Sequence, residues 1–104
     1  MFAWPWNRKR NVPDTWTDRV ITPASEVVIA RQDGRSVLLD LRRERYWGLD
    51  ETGTRIWELV SAGIPFSRIV DSLEDEYAEP RERLESDARA FLTTLLKTRL
   101  AVMA

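Results

Sequence analysis

The chain has 104 residues, with 16 basic and 17 acidic side chains and a net charge of −1. This length suits one domain with a single core, and the balanced charge argues against a protein that holds nucleic acid mainly by charge. The sequence contains no Cys and no His, which excludes disulfides, thiol nucleophiles, Ser-His relays and most zinc sites.

Residues 1–20 differ in composition from the rest of the chain. Trp4, Trp6 and Trp16 lie there among prolines, asparagines and three consecutive basic residues, without a helical or strand period. We predict that residues 1–20 form an N-terminal arm, either flexible or docked on a partner, and that residues 21–104 form one domain. Because the arm lacks the apolar core of a secretory signal and no apolar run reaches the length of a membrane span, we expect a cytoplasmic protein.

Three short runs within residues 26–49 have the composition of β-strands. Residues 26–30 and 37–41 are rich in β-branched and aliphatic side chains, and Asp33-Gly34 between them predicts a tight hairpin whose central residues have positive φ. Residues 46–49 follow a basic turn and predict a third antiparallel strand at the edge of the sheet. In the second strand, alternation places three apolar side chains on one face, Val37, Leu39 and Leu41.

Three helices are predicted after the strands. Asp50 caps the first, and Gly63 ends it in a left-handed conformation. Pro65 begins the second helix and Pro80 begins the third, which runs to about Lys97 and has an apolar stripe wide enough to face two surfaces. This order predicts an α+β domain of winged helix-turn-helix type, with a three-stranded antiparallel sheet followed by three helices. The apolar residues expected to face the core from the first two helices are Ile56, Trp57, Leu59, Val60, Phe66, Ile69, Val70, Leu73 and Tyr77. The stripe of the third helix consists of Leu84, Ala88, Phe91 and Leu95, and Leu92 and Leu96 widen it, while residues 100–102 are expected to close the core.

Acidic side chains flank the third strand, but no other group accompanies them to give them a catalytic role. Asp40 and Glu44 are expected to be solvated strand ends, and Asp50 is already explained as a helix cap. The chain has no Gly-rich phosphate loop and no metal-ligand spacing. We therefore predict no catalytic residue, no metal and no cofactor.

The helix-turn-helix topology suggests DNA binding, but the charges oppose it. Residues 50–79 carry two basic and eight acidic side chains, so this half of the domain should repel phosphates. We predict no nucleic-acid partner.

The third strand offers a different function, because one row of its backbone groups should be unpaired. An extended peptide can add to such an edge as a fourth strand. Arg42, Arg43 and Arg45 beside it are also the usual protection of an edge strand against uncontrolled pairing. From the residues alone, a peptide-binding edge and a merely protected edge remain equally open.

A series of motifs runs in order from Val37 to Leu100. Val-Leu-Leu-Asp-Leu at residues 37–41 precedes the aromatic-rich strand Tyr-Trp-Gly-Leu-Asp at residues 46–50. This ordered set covers about two-thirds of the chain and resembles the PqqD family of peptide-recognition domains. The helices contribute to it Gly53, Ile56 and Trp57, then Ile69, Val70, Leu73 and Tyr77, then Asp87, Phe91, Leu92, Leu95 and Leu100.

The resemblance implies a winged-helix-like recognition element for ribosomally made, modified peptides (RiPPs). Such a domain binds the leader segment of a precursor peptide as a strand along the third strand, in the groove beside the third helix. The chain is most similar to the stand-alone leader-binding proteins of lasso-peptide clusters. This implies a leader peptidase and an ATP-dependent ring-closing enzyme as partners, with no catalysis by the chain itself. The alternatives are a peptide chaperone subunit for a radical-SAM maturase and a winged-helix DNA-binding regulator.

The expected peptide contacts follow from this placement of the leader. The candidate pocket walls are Leu41, Tyr46, Trp47, Phe91 and Leu95, the candidate polar contacts are Arg45 and Asp87, and Gly48 lies on the binding strand.

The sequence departs from the family pattern at three turns. Glu44 stands where many members have a turn glycine, Pro65 where a threonine often caps the second helix, and Arg99 where a glycine often follows the third. These differences concern local turn geometry and leave the predicted architecture unchanged.

Overall fold

The computed structural model describes residues 16–33 and 35–104. They form an α+β domain in which a three-stranded antiparallel sheet is followed by three helices, as predicted, and which is compatible with a winged-helix description. Two further short strands, one at each end of the described chain, form a second sheet. The elements are β1 (Ile21–Pro23), β2 (Val27–Gln32), β3 (Arg35–Asp40), β4 (Arg45–Leu49), α1 (Glu51–Ser61), α2 (Phe66–Glu76), α3 (Arg81–Lys97) and β5 (Ala101–Met103).

The larger sheet has the order β2-β3-β4, so the predicted edge position of the third strand is confirmed. Gln32 pairs with Arg35 across a two-residue turn, and Asp33 in that turn has a φ of 52°. The turn chemistry of Asp-Gly therefore fixes the register of β2 on β3, because a two-residue loop of this type leaves no freedom to slip.

The buried face of the sheet is opposite to the one that the apolar alternation of β3 favoured. Val37 and Leu39 are half-buried on the outer side, and Leu41 lies in the following turn with 62% of its surface exposed. Helix α1 covers the other side, where the side chains of Ser36, Leu38 and Asp40 are buried. Two polar side chains can occupy that buried face because both are hydrogen-bonded there.

The helices begin and end close to the predicted residues. The Asp50 side chain accepts a hydrogen bond from the Gly53 N–H at 2.7 Å, and Gly63 has a φ of 77° after the end of α1. Pro65 and Pro80 are the residues immediately before α2 and α3. The predicted helical core is confirmed except that Tyr77, Phe91 and Leu96 are only half-buried against it.

The second sheet was not predicted. Ile21 pairs with Met103 and Pro23 with Ala101, so that β1 and β5 bring the two ends of the described chain together. Leu100 and Ala101 are buried as predicted, but Val102 is exposed, because its side chain points to the other face of β5. The Ala104 N–H donates to the Val20 carbonyl at 2.8 Å. Strands of three residues carry too little periodicity to be recognised, and their pairing depends on the helices between them.

Trp16, the first described residue, packs on the helical half of the domain. Its ring meets that of Phe66 edge to face, with 5.2 Å between the centroids, and the Arg89 guanidinium lies 4.9 Å from its centroid. Residues 17–20 of the predicted arm are also described, and the Thr17 and Arg19 carbonyls accept from the backbone N–H groups of Ser67 and Phe66. Residues 1–15 of the arm lie outside the described residues. The division into an arm and a domain therefore stays a prediction.

Two of the three departures from the family pattern occupy strained backbone. Glu44 has a φ of 55° and Arg99 a φ of 64°, in the left-handed region that glycine enters without a steric penalty. A side chain in this region costs on the order of 1 kcal/mol. Both turns therefore have the backbone geometry that glycine favours, although Glu44 and Arg99 occupy the two positions.

We predict an asymmetric effect of removing the buried hydroxyls that join the sheet to α1. Ser36 Oγ and Thr54 Oγ1 are 2.7 Å apart, and Thr54 also donates to the Asp50 carbonyl. Thr54→Val leaves the Ser36 hydroxyl without its partner and should cost about 1–3 kcal/mol of unfolding free energy. Ser36→Ala should cost less, because Thr54 keeps its bond to Asp50.

The double variant provides the control for this prediction in urea unfolding. Adding Ser36→Ala to Thr54→Val removes the unpaired Ser36 hydroxyl and should restore part of the lost unfolding free energy. Strictly additive losses would show that the two hydroxyls do not depend on each other.

Candidate functional site

β4 is one of the two edge strands of the larger sheet, and one hydrogen bond shows which of its backbone groups are free. The Leu41 N–H donates to the Glu26 carbonyl at 3.0 Å, so the odd-numbered residues of β3 bond toward β2. Because bonding alternates along an antiparallel strand, the even-numbered residues bond toward β4. Their partners in the register are Leu49, Trp47 and Arg45. The N–H and C=O groups of Tyr46 and Gly48 therefore face the open edge.

The side chains of β4 divide between the two faces of the sheet. Arg45, Trp47 and Leu49 point to the helical side, where Trp47 is half-buried against the core. Tyr46 points to the outer side, with 76% of its surface exposed, and Gly48 is exposed on the same face. A strand that joined β4 would alternate in the same way.

The predicted peptide groove is the space between β4 and α3, and two contacts relate these elements. At one end, Arg45 Nη2 donates to the carbonyl of Thr98, just beyond α3, at 2.8 Å. At the other end, a Cβ on Gly53 of α1 would lie 3.5 Å from the Leu49 Cβ of β4 and 3.4 Å from a ring carbon of Phe91 on α3. These contacts show that β4 and α3 run side by side in opposite directions. Trp47 lies between the two ends of the groove.

The buried Asp40 holds Arg45 in this position, which corrects the expectation that Asp40 is a solvated strand end. Only 2% of Asp40 is exposed, and Arg45 Nη2 lies 3.0 Å from its Oδ2. Its other oxygen accepts from the Arg43 N–H at 3.2 Å. The hydrogen bond from Arg45 is the main reason that the pKa of Asp40 lies below its usual value.

Two buried donors on the groove side of β4 have no acceptor among the described residues, Arg45 Nε and Trp47 Nε1. A buried N–H group without a partner costs about 1–3 kcal/mol. Both N–H groups belong to side chains on the helical side of β4. They can therefore donate to a bound peptide, since no acceptor in the described part of the chain uses them.

The structure brings together some of the predicted site residues and separates others. Arg45 and Trp47 lie on the helical side of β4, and Phe91 lies on α3 near Leu49. Tyr46 and Gly48 present the free backbone edge, and the Tyr46 ring points to the opposite face of the sheet from Trp47. Asp87 is exposed on α3, 4.0 Å from Arg83, and Leu41 lies in the turn before β4. Leu95 is only 3% exposed and belongs to the core.

Sequence reasoning missed the Thr98 carbonyl and the role of Asp40. The carbonyl belongs to the backbone and leaves no signal in the sequence. The signal for Asp40 is an acidic residue at the end of an apolar strand, followed by three arginines within five residues.

Among the described residues, no group of acidic side chains is arranged to hold a metal ion. No helix in the described part of the chain is long and apolar enough to cross a bilayer.

We predict that acid destabilises the fold partly through Asp40. The folded-state pKa of Asp40 lies below the ordinary value of 3.8. The contribution of its ionised carboxylate to the free energy of unfolding is therefore complete above that value, and it is lost as the pH falls through the folded-state pKa. Asp40→Asn carries no charge at any pH, so its unfolding free energy should fall less steeply below about pH 4. Urea unfolding at stepped pH measures the two slopes.

Other carboxylates act as an internal reference in this comparison. Ion pairs with Arg31 and with Arg55 also lower the pKa values of Glu58 and Glu76, and both groups are present in each protein. Parallel stability curves for the wild type and Asp40→Asn would contradict the assigned role.

Comparison with known proteins shows which family the chain resembles in sequence and structure. The model of the family described as coenzyme PQQ synthesis protein D (PqqD) matches residues 35–101. A solved structure described as TbiB1 in complex with the TbiA(beta) leader peptide is 39% identical, with 77% of this chain and 93% of that chain covered and a TM-score of 0.74.

A second solved structure, described as lasso peptide synthetase B1 complexed with the leader peptide, is 29% identical. The match covers 79% of this chain and 96% of that chain, with a TM-score of 0.73. Comparison with curated proteins gives no significant match. The residues that the family model matches, 35–101, include β3, β4 and all three helices. The chain belongs to the PqqD family.

Proposed function

We propose that this protein binds the leader segment of a ribosomally made precursor peptide and presents it to the processing enzymes of lasso-peptide biosynthesis. The observation that carries the proposal is the 39% identical neighbour, which was solved with a leader peptide bound and matches over most of both chains. The free edge of β4 and the groove beside α3 provide a physical site for such a peptide.

Strand addition along β4 explains the affinity that such a function needs. Tyr46 and Gly48 offer two N–H and two C=O groups, and each backbone bond contributes about 0.5–1.5 kcal/mol net. Apolar leader side chains that enter the groove beside Trp47 and Phe91 add roughly 1.5–3 kcal/mol each when fully buried. After the cost of ordering a disordered peptide, a total near −8 kcal/mol, or about micromolar affinity, is reasonable. This affinity allows the leader to be released again.

The proposed partners are a leader peptidase and an ATP-dependent ring-closing enzyme in the cytoplasm, and the chain itself is proposed to be non-catalytic. The second candidate is a peptide chaperone for a radical-SAM maturase, which the description of the matching family favours. The enzymes encoded beside this gene distinguish the two.

DNA binding is not supported by the surface of α2, the second helix of the helix-turn-helix pair. This helix exposes Asp71, Glu74 and Glu76, which form ion pairs with Arg81 and Arg55. Arg55 and Arg81 beside α2 are thus already paired with carboxylates, and α2 itself contributes a single basic side chain, the exposed Arg68. Phosphate contacts are the main source of affinity for DNA.

Proline substitutions test strand addition, because proline lacks the N–H that each position uses. The Trp47 N–H faces β3, so Trp47→Pro should lower the melting temperature markedly. The Tyr46 N–H faces the open edge, so Tyr46→Pro should stay folded but bind leader at least about tenfold more weakly than Tyr46→Ala. Circular dichroism melts and fluorescence anisotropy with labelled leader provide the two measurements.

Tyr46→Ala and Trp47→Ala remove the aromatic ring from the comparison. If folded Tyr46→Pro binds leader as well as Tyr46→Ala does, the peptide does not add to β4 as a strand.

The purified chain should stimulate a cognate leader peptidase without cleaving the precursor or hydrolysing ATP itself. Removal of residues 1–15 should leave leader affinity within about threefold and reduce the stimulation more strongly. Precursor cleavage followed by mass spectrometry, with and without the peptidase, measures both effects. Turnover by the isolated chain would contradict the non-catalytic role, and loss of leader binding on truncation would place the arm in the binding site.

A further inference from the structure

The outer face of the larger sheet is apolar, although no described helix covers it. Val28, Leu39 and Tyr46 are direct cross-strand neighbours and form one row across this face. Val28 is 44% exposed and Tyr46 is 76% exposed. An open antiparallel sheet ordinarily has polar side chains on its solvated face, so the part of this row nearest to the open edge, Leu39 and Tyr46, indicates a contact surface.

The neighbouring row contains a depression of about 650 Å³. Its floor is formed by Ala30, Val37 and Gly48, which are also direct cross-strand neighbours. The described lining residues come from the three strands, from Asp33 in the turn between β2 and β3, and from Asp50, and none comes from α1, α2 or α3. The depression therefore lies on the outer face and is separate from the groove beside α3.

Gly48 creates this space, and the fold does not require a glycine there. A Cβ added at Gly48 would meet no atom within 4 Å, and Gly48 is not among the residues with positive φ. Glycine inside a strand weakens it, and a common reason for its presence is the close approach of a ligand or another backbone. At Gly48 the approaching group comes from the open edge.

We propose that the depression over Gly48 is a second anchor subsite, which binds one apolar side chain of the leader peptide. This inference rests on the proposed strand addition at β4. The leader residue directly opposite Gly48 shares its face, so its side chain points to the outer side of the sheet. Because Gly48 has no side chain, the side chain of this leader residue leans over the Gly48 backbone onto Val37. The Tyr46 ring lies beside it on the same face.

The subsite selects the chemistry and the spacing of its occupant. Polar and charged residues also line the depression, among them Gln32, Asp33, Arg35 and Asp50, but the part next to the open edge consists of Gly48 and Val37. This apolar part favours an aliphatic or aromatic side chain over a charged one. Because side chains alternate along a strand, the residue that fills the depression is an odd number of positions from those that enter the groove. The protein would then recognise both faces of the leader.

Filling the depression tests the proposal. Gly48→Val should keep or raise the melting temperature, because the new side chain has open space and suits a strand. It should weaken leader binding at least about tenfold, and Gly48→Ala should weaken it less. Val28→Leu adds bulk to the same face outside the depression and should bind as the wild type does. The probe is labelled TbiA(beta) leader, which the 39% identical neighbour binds, alongside the leader encoded next to this gene.

A double-mutant cycle identifies the occupant. Each outward-facing leader position is changed to alanine and measured against the wild type and Gly48→Val. At one leader position, the alanine substitution should weaken binding to the wild-type protein but should not weaken binding to Gly48→Val. Gly48→Val binding within about threefold of the wild type, or fully additive losses at every position, would overturn the subsite while leaving strand addition intact. If neither leader binds the wild type, the proposed function itself is wrong.

Discussion

The chain of hydrogen bonds from Asp40 through Arg45 to the Thr98 carbonyl holds the edge strand against α3. Arg45 reaches the buried carboxylate at 3.0 Å and the carbonyl at 2.8 Å. A buried carboxylate is unfavourable unless it is paired, so the position of Arg45 is strongly determined. Because Arg45 is the first residue of β4, this contact also sets the distance between strand and helix, and with it the width of the groove.

The alternation of β4 gives its two sets of residues different roles. Arg45, Trp47 and Leu49 use their backbone groups to join β3 and their side chains to build the groove. Tyr46 and Gly48 have their backbone groups free at the edge and their side-chain positions on the outer face. Contact with a peptide and stability of the sheet therefore depend on different residues, which is why adjacent proline substitutions should have opposite effects.

Most of the fold could be predicted from local patterns. The Asp33 turn, the Asp50 cap and the helix boundaries near Pro65 and Pro80 depend on residues close in sequence, and the structure agrees with them. The burial of Asp40 and the pairing of β1 with β5 could not be predicted in this way. Both depend on groups far apart in the chain, including Thr98, 53 residues after Arg45.

The sequence by itself determined the order of the strands and helices, the edge position of residues 45–49 and the family, because turn residues, caps and apolar periods are local signals. Only the tertiary structure decided which face of the sheet is buried and which backbone groups of β4 are free. Apolar alternation favoured the side of Val37 and Leu39, yet α1 packs on the side of Ser36 and Asp40. The cause is hydrogen bonding: Thr54 and Arg45 satisfy these two polar side chains, so that they can be buried and the apolar face can remain open.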